Sequence, residues 1–311
     1  GKLNLKYGQS TVNGGTSDYY LQKGAKVNLK AGQNFSTQKG SDGINLKNYQ
    51  VLTELGAQGS TTSQDLQGIN GNLNDNYVLG ADINASTTSG WNSGKGFNTI
   101  GTSRYYFSGV FDGLGHIISD LVINDTSNNF AALFSLISKE AEIKNIGLLA
   151  GNVSGGWSAG SLVGHNLGKI SNAYATTKVS SDNIGTTQNK ATSTAGGLAG
   201  SNDGIIKNSY ATGSVSASNT AETTESASFA GGLVGYNTGV IENSYATGSV
   251  SSFNTANSSK DISFTSNMSY SYAGGLSGYN SGKMSNIYAT GKVVATSKSN
   301  SVKTYSHAGG L

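Results

Sequence analysis

Short apolar runs broken by glycine and asparagine recur along the chain. Gly-Leu-Val-Gly at 232–235 and the Val-Ile pair at 240–241 are such runs, and elsewhere apolar and polar positions alternate every second residue. A period of two bounded by turn residues predicts β-strands, and the 3.6-residue spacing of an amphipathic helix does not fit these runs. Near the N-terminus KLNL, KVNL and INLK set Leu3 with Leu5, Val27 with Leu29 and Ile44 with Leu46 on one side of short strands, and 51–60 reads as one more strand and its exit. One stretch, TSQDLQGINGNL at 62–73, has helical spacing: Ser63 would cap it and Leu66, Ile69 and Leu73 would line one face. Gly68 and Gly71 count against it.

The pattern repeats. Residues 159–179 read AGSLVGHNLGKISNAYATTKV, 195–215 AGGLAGSNDGIIKNSYATGSV, 230–250 AGGLVGYNTGVIENSYATGSV and 273–293 AGGLSGYNSGKMSNIYATGKV. A fifth copy opens with AGGL at 308–311, and degenerate copies lie at 108–124 and 131–153. Starts are 36, 35, 43 and 35 residues apart, because inserts of 15, 14, 22 and 14 residues rich in Ser, Thr and Asn follow each 21-residue core. Such a unit cannot bury its apolar side alone and must stack on its neighbours. Its strands then pair in parallel about 4.8 Å apart. The expected fold is all-β, a parallel β-helix (solenoid) with variable Ser/Thr/Asn-rich inserts and at most one short helix. A β-propeller is disfavoured, since a blade needs four regular strands and the inserts are too variable to supply two of them. Two regions are expected: 1–107, looser coils with the short helix near 63–73, and 108–311, the repeats proper, degenerate over 108–153 and regular over 159–311.

Stacking turns equivalent positions into rows. Asn145, Asn172, Asn208, Asn243 and Asn286 align, with Asp120 as a further degenerate equivalent. Asparagine tolerates unusual backbone angles and can bond the next coil, so this row is expected to be a structural ladder at a bend. Tyr174, Tyr210, Tyr245 and Tyr288 follow two positions later, and Thr176, Thr212, Thr247 and Thr290 two beyond those. Apolar residues in the degenerate copies fill the positions flanking the Tyr position, so the Tyr and Thr rows are expected to face outward, unless a bulge at Gly248 reverses them. Exposed, they would be a candidate ligand face, a flat stackable aromatic surface suited to glycan or protein. The alternative is that the inserts fold over the tyrosines.

Composition narrows the function. The chain has 45 glycines, no proline and no cysteine, and 12% charged residues. Absent proline suits a chain rich in β-ladder. Absent cysteine rules out disulfides, thiol nucleophiles and Cys-ligated zinc. No run approaches 18 apolar residues, and no leader is evident. The chain starts at Gly1 and stops inside a repeat, which reads as a piece of something longer. The net charge of +3 resides in 1–107, the repeats are neutral, and Arg104 is the one arginine, so nucleic acid is not an expected partner. No zinc, nucleophile-elbow, phosphate-loop or dinucleotide motif occurs. Asp112 and Asp120 are the nearest thing to a glycosidase carboxylate pair, but one sits in a Phe-Asp-Gly-Leu-Gly turn and the other on the Asn row. No catalytic residue, cofactor or metal site is expected, and a β-helix polysaccharide-processing enzyme is the rival.

AGGLVGYNTGVIENSYATGSV resembles the GLUG repeat of large bacterial surface and secreted proteins. DLQGINGNL, NYVLGADINAS, FNTIG and FSGVFDGLGHIISDLVIN resemble the lead-in to such repeats in filamentous-haemagglutinin-like exoproteins, as do GKLNLKYGQ and AKVNLKAGQNFST. The resemblance implies a right-handed β-helix, export by two-partner secretion through an outer-membrane transporter, and a place at the bacterial surface or in the medium. It implies an adhesin stalk that touches host glycan or surface protein or acts as a spacer. GLUG repeats also occur in IgA-cleaving metallopeptidases, of which this stretch would be a non-catalytic part.

Overall fold

The computed structural model describes residues 1–22, 24–127, 129–185, 191–221, 225–256, 268–299 and 303–311. From Tyr77 onward the chain winds into stacked parallel coils. One coil shows the plan. Ala191–Gly196 lies on face A, Ala199–Asn202 on face B, Ile205–Lys207 with Tyr210–Ala211 on face C, and Val215–Ala221 on face D. The next coil repeats the order with Glu225–Gly231, Val234–Asn237, Val240–Ala246 and Val250–Ala256. Every pairing between coils is parallel among the described strands of these four faces.

The register stacks like on like. Ile143, Ile170, Ile206, Ile241 and Met284 form one row on face C. Val153, Val179, Val215, Val250 and Val293 form another on face D. Ala131, Ala159, Ala195, Ala230 and Ala273 line face A. Leu133, Leu162, Leu198, Leu233 and Leu276 fill the corner between faces A and B and are buried. Each coil thus contributes one leucine at the corner, one larger apolar side chain on each of faces C and D, and mostly small residues on faces A and B. A core this thin closes only because the next coil supplies the same set directly above.

The inserts are not appended loops. Their described parts are the outer lengths of faces D and A, which pack on each other. Asn219 and Ala221 on one side face Ser226 and Ser228 on the other, all buried. This bilayer is filled with hydroxyls and amides: Ser193 Oγ lies 2.9 Å from Ser181 Oγ, Ser228 Oγ 2.6 Å from Ser252 Oγ, and Asn219 Nδ2 donates to Asn254 Oδ1 at 3.1 Å.

Residues 1–52 depart from the expected coils. Leu3–Tyr7 pairs in parallel with Gly32–Lys39, but Gly32–Lys39 runs antiparallel to Asn45–Leu52. The reversal is a tight turn through Gly40 and Gly43, both at positive φ, which a continuing coil has no need of. Val27 and Leu29 belong to no strand. Phe35 and Tyr49, with Leu5, Leu21, Val27 and Leu29, pack instead against Val51, Val78, Val110 and Leu114 as a second small core. The N-terminal region is a cover over face C.

The expected helix near 63–73 is a short 3-10 helix at Gln67–Gly71, with Leu66 and Ile69 buried. Ser63 does not cap it; Asp65 accepts from the Gly68 N–H at 2.6 Å. A second 3-10 segment, Ser86–Gly94, is interrupted by extended Trp91 and left-handed Asn92 and Ser93.

Candidate functional site: the outer side of face C

Face C bends sharply in the middle of each coil, and the bend is an asparagine. Asn145, Asn172, Asn208, Asn243 and Asn286 have φ of 53°, 50°, 51°, 50° and 51°. Asp120, expected on the same row, is also left-handed at 58° but is off it: Ser119 pairs with Leu149 and Val122 with Asn152, so Asp120 stands level with Ala150 at the corner between faces C and D. Asn and Asp enter this left-handed region more readily than other L-residues because their short polar side chains bond locally. Asn172 Nδ2 donates to Asn145 Oδ1 at 2.8 Å, Asn243 Nδ2 to Asn208 Oδ1 at 3.1 Å, and Asn286 Nδ2 to Asn243 Oδ1 at 2.8 Å. Asn145 in turn donates to Asp112 Oδ1 at 3.0 Å.

Past the bend, Ala173, Ala175, Ser244 and Ala246 point into the core, while Tyr174, Tyr210 and Tyr245 are half-buried and Tyr288 is exposed. Thr176, Thr212, Thr247 and Thr290 are exposed. No bulge reverses the alternation at Gly248. That glycine is fixed by spacing instead: a Cβ there would lie 1.9 Å from the Gly213 carbonyl oxygen of the coil below. The described parts of the inserts lie on faces D and A and leave the tyrosines uncovered.

The rings stack on one another. Tyr174–Tyr210, Tyr210–Tyr245 and Tyr245–Tyr288 have centroids 5.1, 4.7 and 4.7 Å apart and planes within 10°. Both faces of Tyr210 and of Tyr245 are therefore taken by neighbouring rings. The row turns edges and hydroxyls outward, not the open aromatic platform on which a sugar stacks. Burial pushes the Tyr174, Tyr210 and Tyr245 hydroxyls above their ordinary value, so they act as neutral donors and acceptors.

Toward the N-terminus the same face is occupied by the chain's own residues 18–22 and 24–29. Leu29 N–H donates to the Gly80 carbonyl and Val27 N–H to the Leu114 carbonyl, each at 3.0 Å. Lys26 pairs with Asp82 at 2.6 Å. Asp18 lies 2.6 Å from Lys169 Nζ and 3.2 Å from Lys144 Nζ, and Lys144, only 2% exposed, sits 4.0 Å over the Tyr19 ring. Burial raises the Asp18 carboxyl, but the Lys169 hydrogen bond and the charges of both lysines outweigh it and hold the group below its ordinary value. Burial lowers Lys144 and Lys169, and the surrounding carboxylates more than offset it and raise both.

Asp112, the candidate acid, is wholly buried and raised by burial. It accepts from Tyr19 of the cover, from Asn145 of the next coil and from the Leu114 N–H of its own turn, so it is committed to structure. Asp120 sits at the corner between faces C and D, and no second carboxylate pairs with it among the described residues. His165 Nε2 lies 2.8 Å from Asp203, and among the described residues no cluster of three or more His, Asp and Glu could hold a metal.

Two features escape the reading of the rows. Asn166, Asn202, Asn237 and Asn280 form a second ladder, in plain view in HN, SN, YN and YN of each repeat but readable there as turn residues. The Asp18–Lys144–Lys169 cluster joins residues over 120 positions apart and carries no local signal.

Comparison with known proteins bears on the repeats. The GLUG motif matches residues 191–216, 227–251 and 269–294, so GLUG repeats are present. Halomucin of Haloquadratum walsbyi is 36% identical over 141 residues, 42% of this chain, and the chain spans only 2% of halomucin's length. The structure of a candidate immunoglobulin A1 protease from Bacteroides ovatus superposes with a TM-score of 0.52 at 19% identity, covering 83% of this chain and 77% of that one. At that identity the likeness is one of fold.

Proposed function

We propose that the chain is a length-giving stalk module of a large extracellular surface protein, bearing variable inserts and exposed polar rows with which such a protein meets host glycan or protein. The observation that carries this reading is the register. Ile143, Ile170, Ile206, Ile241 and Met284 repeat one position over five coils, so each coil is interchangeable with the next. Stability in such a solenoid is a sum of repeat and interface contributions, which lets length change by whole coils. The stretch shared with halomucin, a small part of that chain, supports a place in a very long polypeptide. The GLUG repeats support an extracellular one.

The coil is read as right-handed, the hand that parallel crossovers take in about 98% of cases. Export by an outer-membrane transporter of the two-partner kind rests on the resemblance of the N-terminal segments to haemagglutinin-like exoproteins. The module is read as non-enzymatic because Asp112 is spent on the cover. A second reading, a non-catalytic part of a surface peptidase, is favoured by the fold shared with the Bacteroides ovatus protein.

Inserting four further copies of 195–229 after residue 229 tests the stalk. The expected result is a folded chain longer by about 20 Å in small-angle scattering, four coils at one strand spacing each. An unchanged maximum dimension, or an unfolded chain, overturns it.

A further inference from the structure

Leu21 shows how the outer side of face C holds a polypeptide. Two successive ladder residues grip both of its backbone groups: its N–H donates to Asn145 Oδ1 at 3.3 Å and its carbonyl accepts from Asn172 Nδ2 at 3.1 Å. Asn172 thereby uses both amide hydrogens, one on Leu21 and one on Asn145. The bend that presents these amides recurs at Asn208, Asn243 and Asn286 with φ of 50° to 51°. There each of Asn243 and Asn286 spends one hydrogen on the Asn of the coil below, and among the described residues the second has no partner. All three asparagines are exposed, whereas Asn145 under the cover is buried.

We propose that face C over residues 205–289 binds an extended polypeptide segment of another molecule, gripped by its backbone between Asn208, Asn243 and Asn286 as Leu21 is between Asn145 and Asn172. The free rows stand in register with the rows that the chain's own segment occupies, Lys207 level with Ser171 and Tyr210 with Tyr174, and the stacked tyrosines offer edges and hydroxyls beside them. The charge requirement differs. Under the cover Asp18 is met by Lys169 and Lys144. The Lys169 row continues as Ile205, Val240 and Lys283, and Lys207, in the Lys144 row, is already paired with Glu242 at 2.9 Å. The segment that fits is uncharged where it crosses the coils of Ile205 and Val240. The sugar-stacking alternative lacks a free ring face at Tyr210 and Tyr245.

The test uses the full chain and a blocked, uncharged peptide of residues 14–22 with Asp18→Asn, carrying a photoreactive group. The expected result is saturable binding with crosslinks within 205–289. Combined Asn208→Gly, Asn243→Gly and Asn286→Gly keeps the left-handed bend and removes the amides, and should weaken binding at least tenfold with the circular dichroism spectrum unchanged. If that variant unfolds, Asn243→Asp and Asn286→Asp, which keep the bend and lose the donors, should weaken binding likewise. Absence of saturable binding at millimolar peptide, affinity indifferent to these variants, or crosslinks confined to 145–172 overturns the proposal. So does a neutral oligosaccharide that binds in the peptide's place and loses affinity in the same variants.

Discussion

Asn166 and Asn202 stand one above the other inside the stack, Asn166 Nδ2 donating to Asn202 Oδ1 at 2.6 Å with both side chains fully buried. Asn202 passes the pattern on to Asn237, and Asn237 to Asn280, each at 2.6 Å. Replacing Asn202 therefore orphans a donor on one neighbour and an acceptor on the other. Each unsatisfied buried group costs about 1–3 kcal/mol. Asn202→Ala should lower unfolding free energy by roughly 2–5 kcal/mol in urea titration, and Asn280→Ala, at an exposed position, by clearly less. Equal midpoints for the two variants would show that burial adds nothing to the worth of this ladder.

The bend asparagines separate a backbone effect from a side-chain effect. Asn208 has φ of 51°. Asn208→Ala should cost about 1–2 kcal/mol from left-handed strain, whereas Asn208→Gly should be close to neutral. Thermal melts of the two variants check this, and a melt of Asn208→Gly as low as that of Asn208→Ala would locate the energy in the lost amide.

These cases show what was legible. The Asn bend and the outward tyrosines could be read because alternation by two is strict on face C and the degenerate copies place Leu and Ile at the inward positions. The ladder of Asn166 was hidden by its company, since an Asn before Leu-Gly or Asp-Gly reads as a turn. The arms were hidden by composition. VSASNTA at 215–221 alternates buried and half-buried residues faithfully, but its inward set is Val, Ala, Asn and Ala, too polar to register as a core pattern. The cover was out of reach because nothing near Asp18 in sequence announces Lys144 or Lys169. On the Tyr row, facing could be inferred, but the loss of ring faces to stacking depends on ring rotamers that no pattern specifies.

Coil spacing leaves one position in an awkward state. Gly213, Gly248 and Gly291 occupy a site where a Cβ would meet a carbonyl oxygen of the coil below at 1.8–1.9 Å. The first regular copy carries Thr177 there, buried, with its hydroxyl lacking a partner among the described residues. Thr177→Val keeps the shape and removes the orphan hydroxyl, so it should stabilise by about 1 kcal/mol. Gly248→Ala should destabilise by about 1–3 kcal/mol or more through overpacking against backbone. Chemical denaturation of the pair should move the midpoint in opposite directions, and a destabilised Thr177→Val would mean that the hydroxyl is solvated.

Docking of the N-terminal cover should depend on acid through Asp18. Its carboxyl in the docked state is held below the ordinary value of 3.8, so its contribution is fully present above that value and is lost as pH falls through the lowered one. Asp112 works in the opposite sense. Burial raises it, so its ionised form opposes docking near neutrality, and protonation relieves that cost as pH falls through the raised value. Hydrogen-exchange protection of the Val27 and Leu29 amides, corrected for intrinsic rate, should hold from pH 7 to about 5 and decline below about 4. Asp18→Asn should remove the decline and lower protection above about pH 4 by on the order of 3 kcal/mol, converging with the unaltered chain as Asp18 protonates, because it leaves the buried Lys144 ammonium short of a partner. Protection that climbs steadily down to pH 3 in the unaltered chain would assign control of the cover to Asp112 instead.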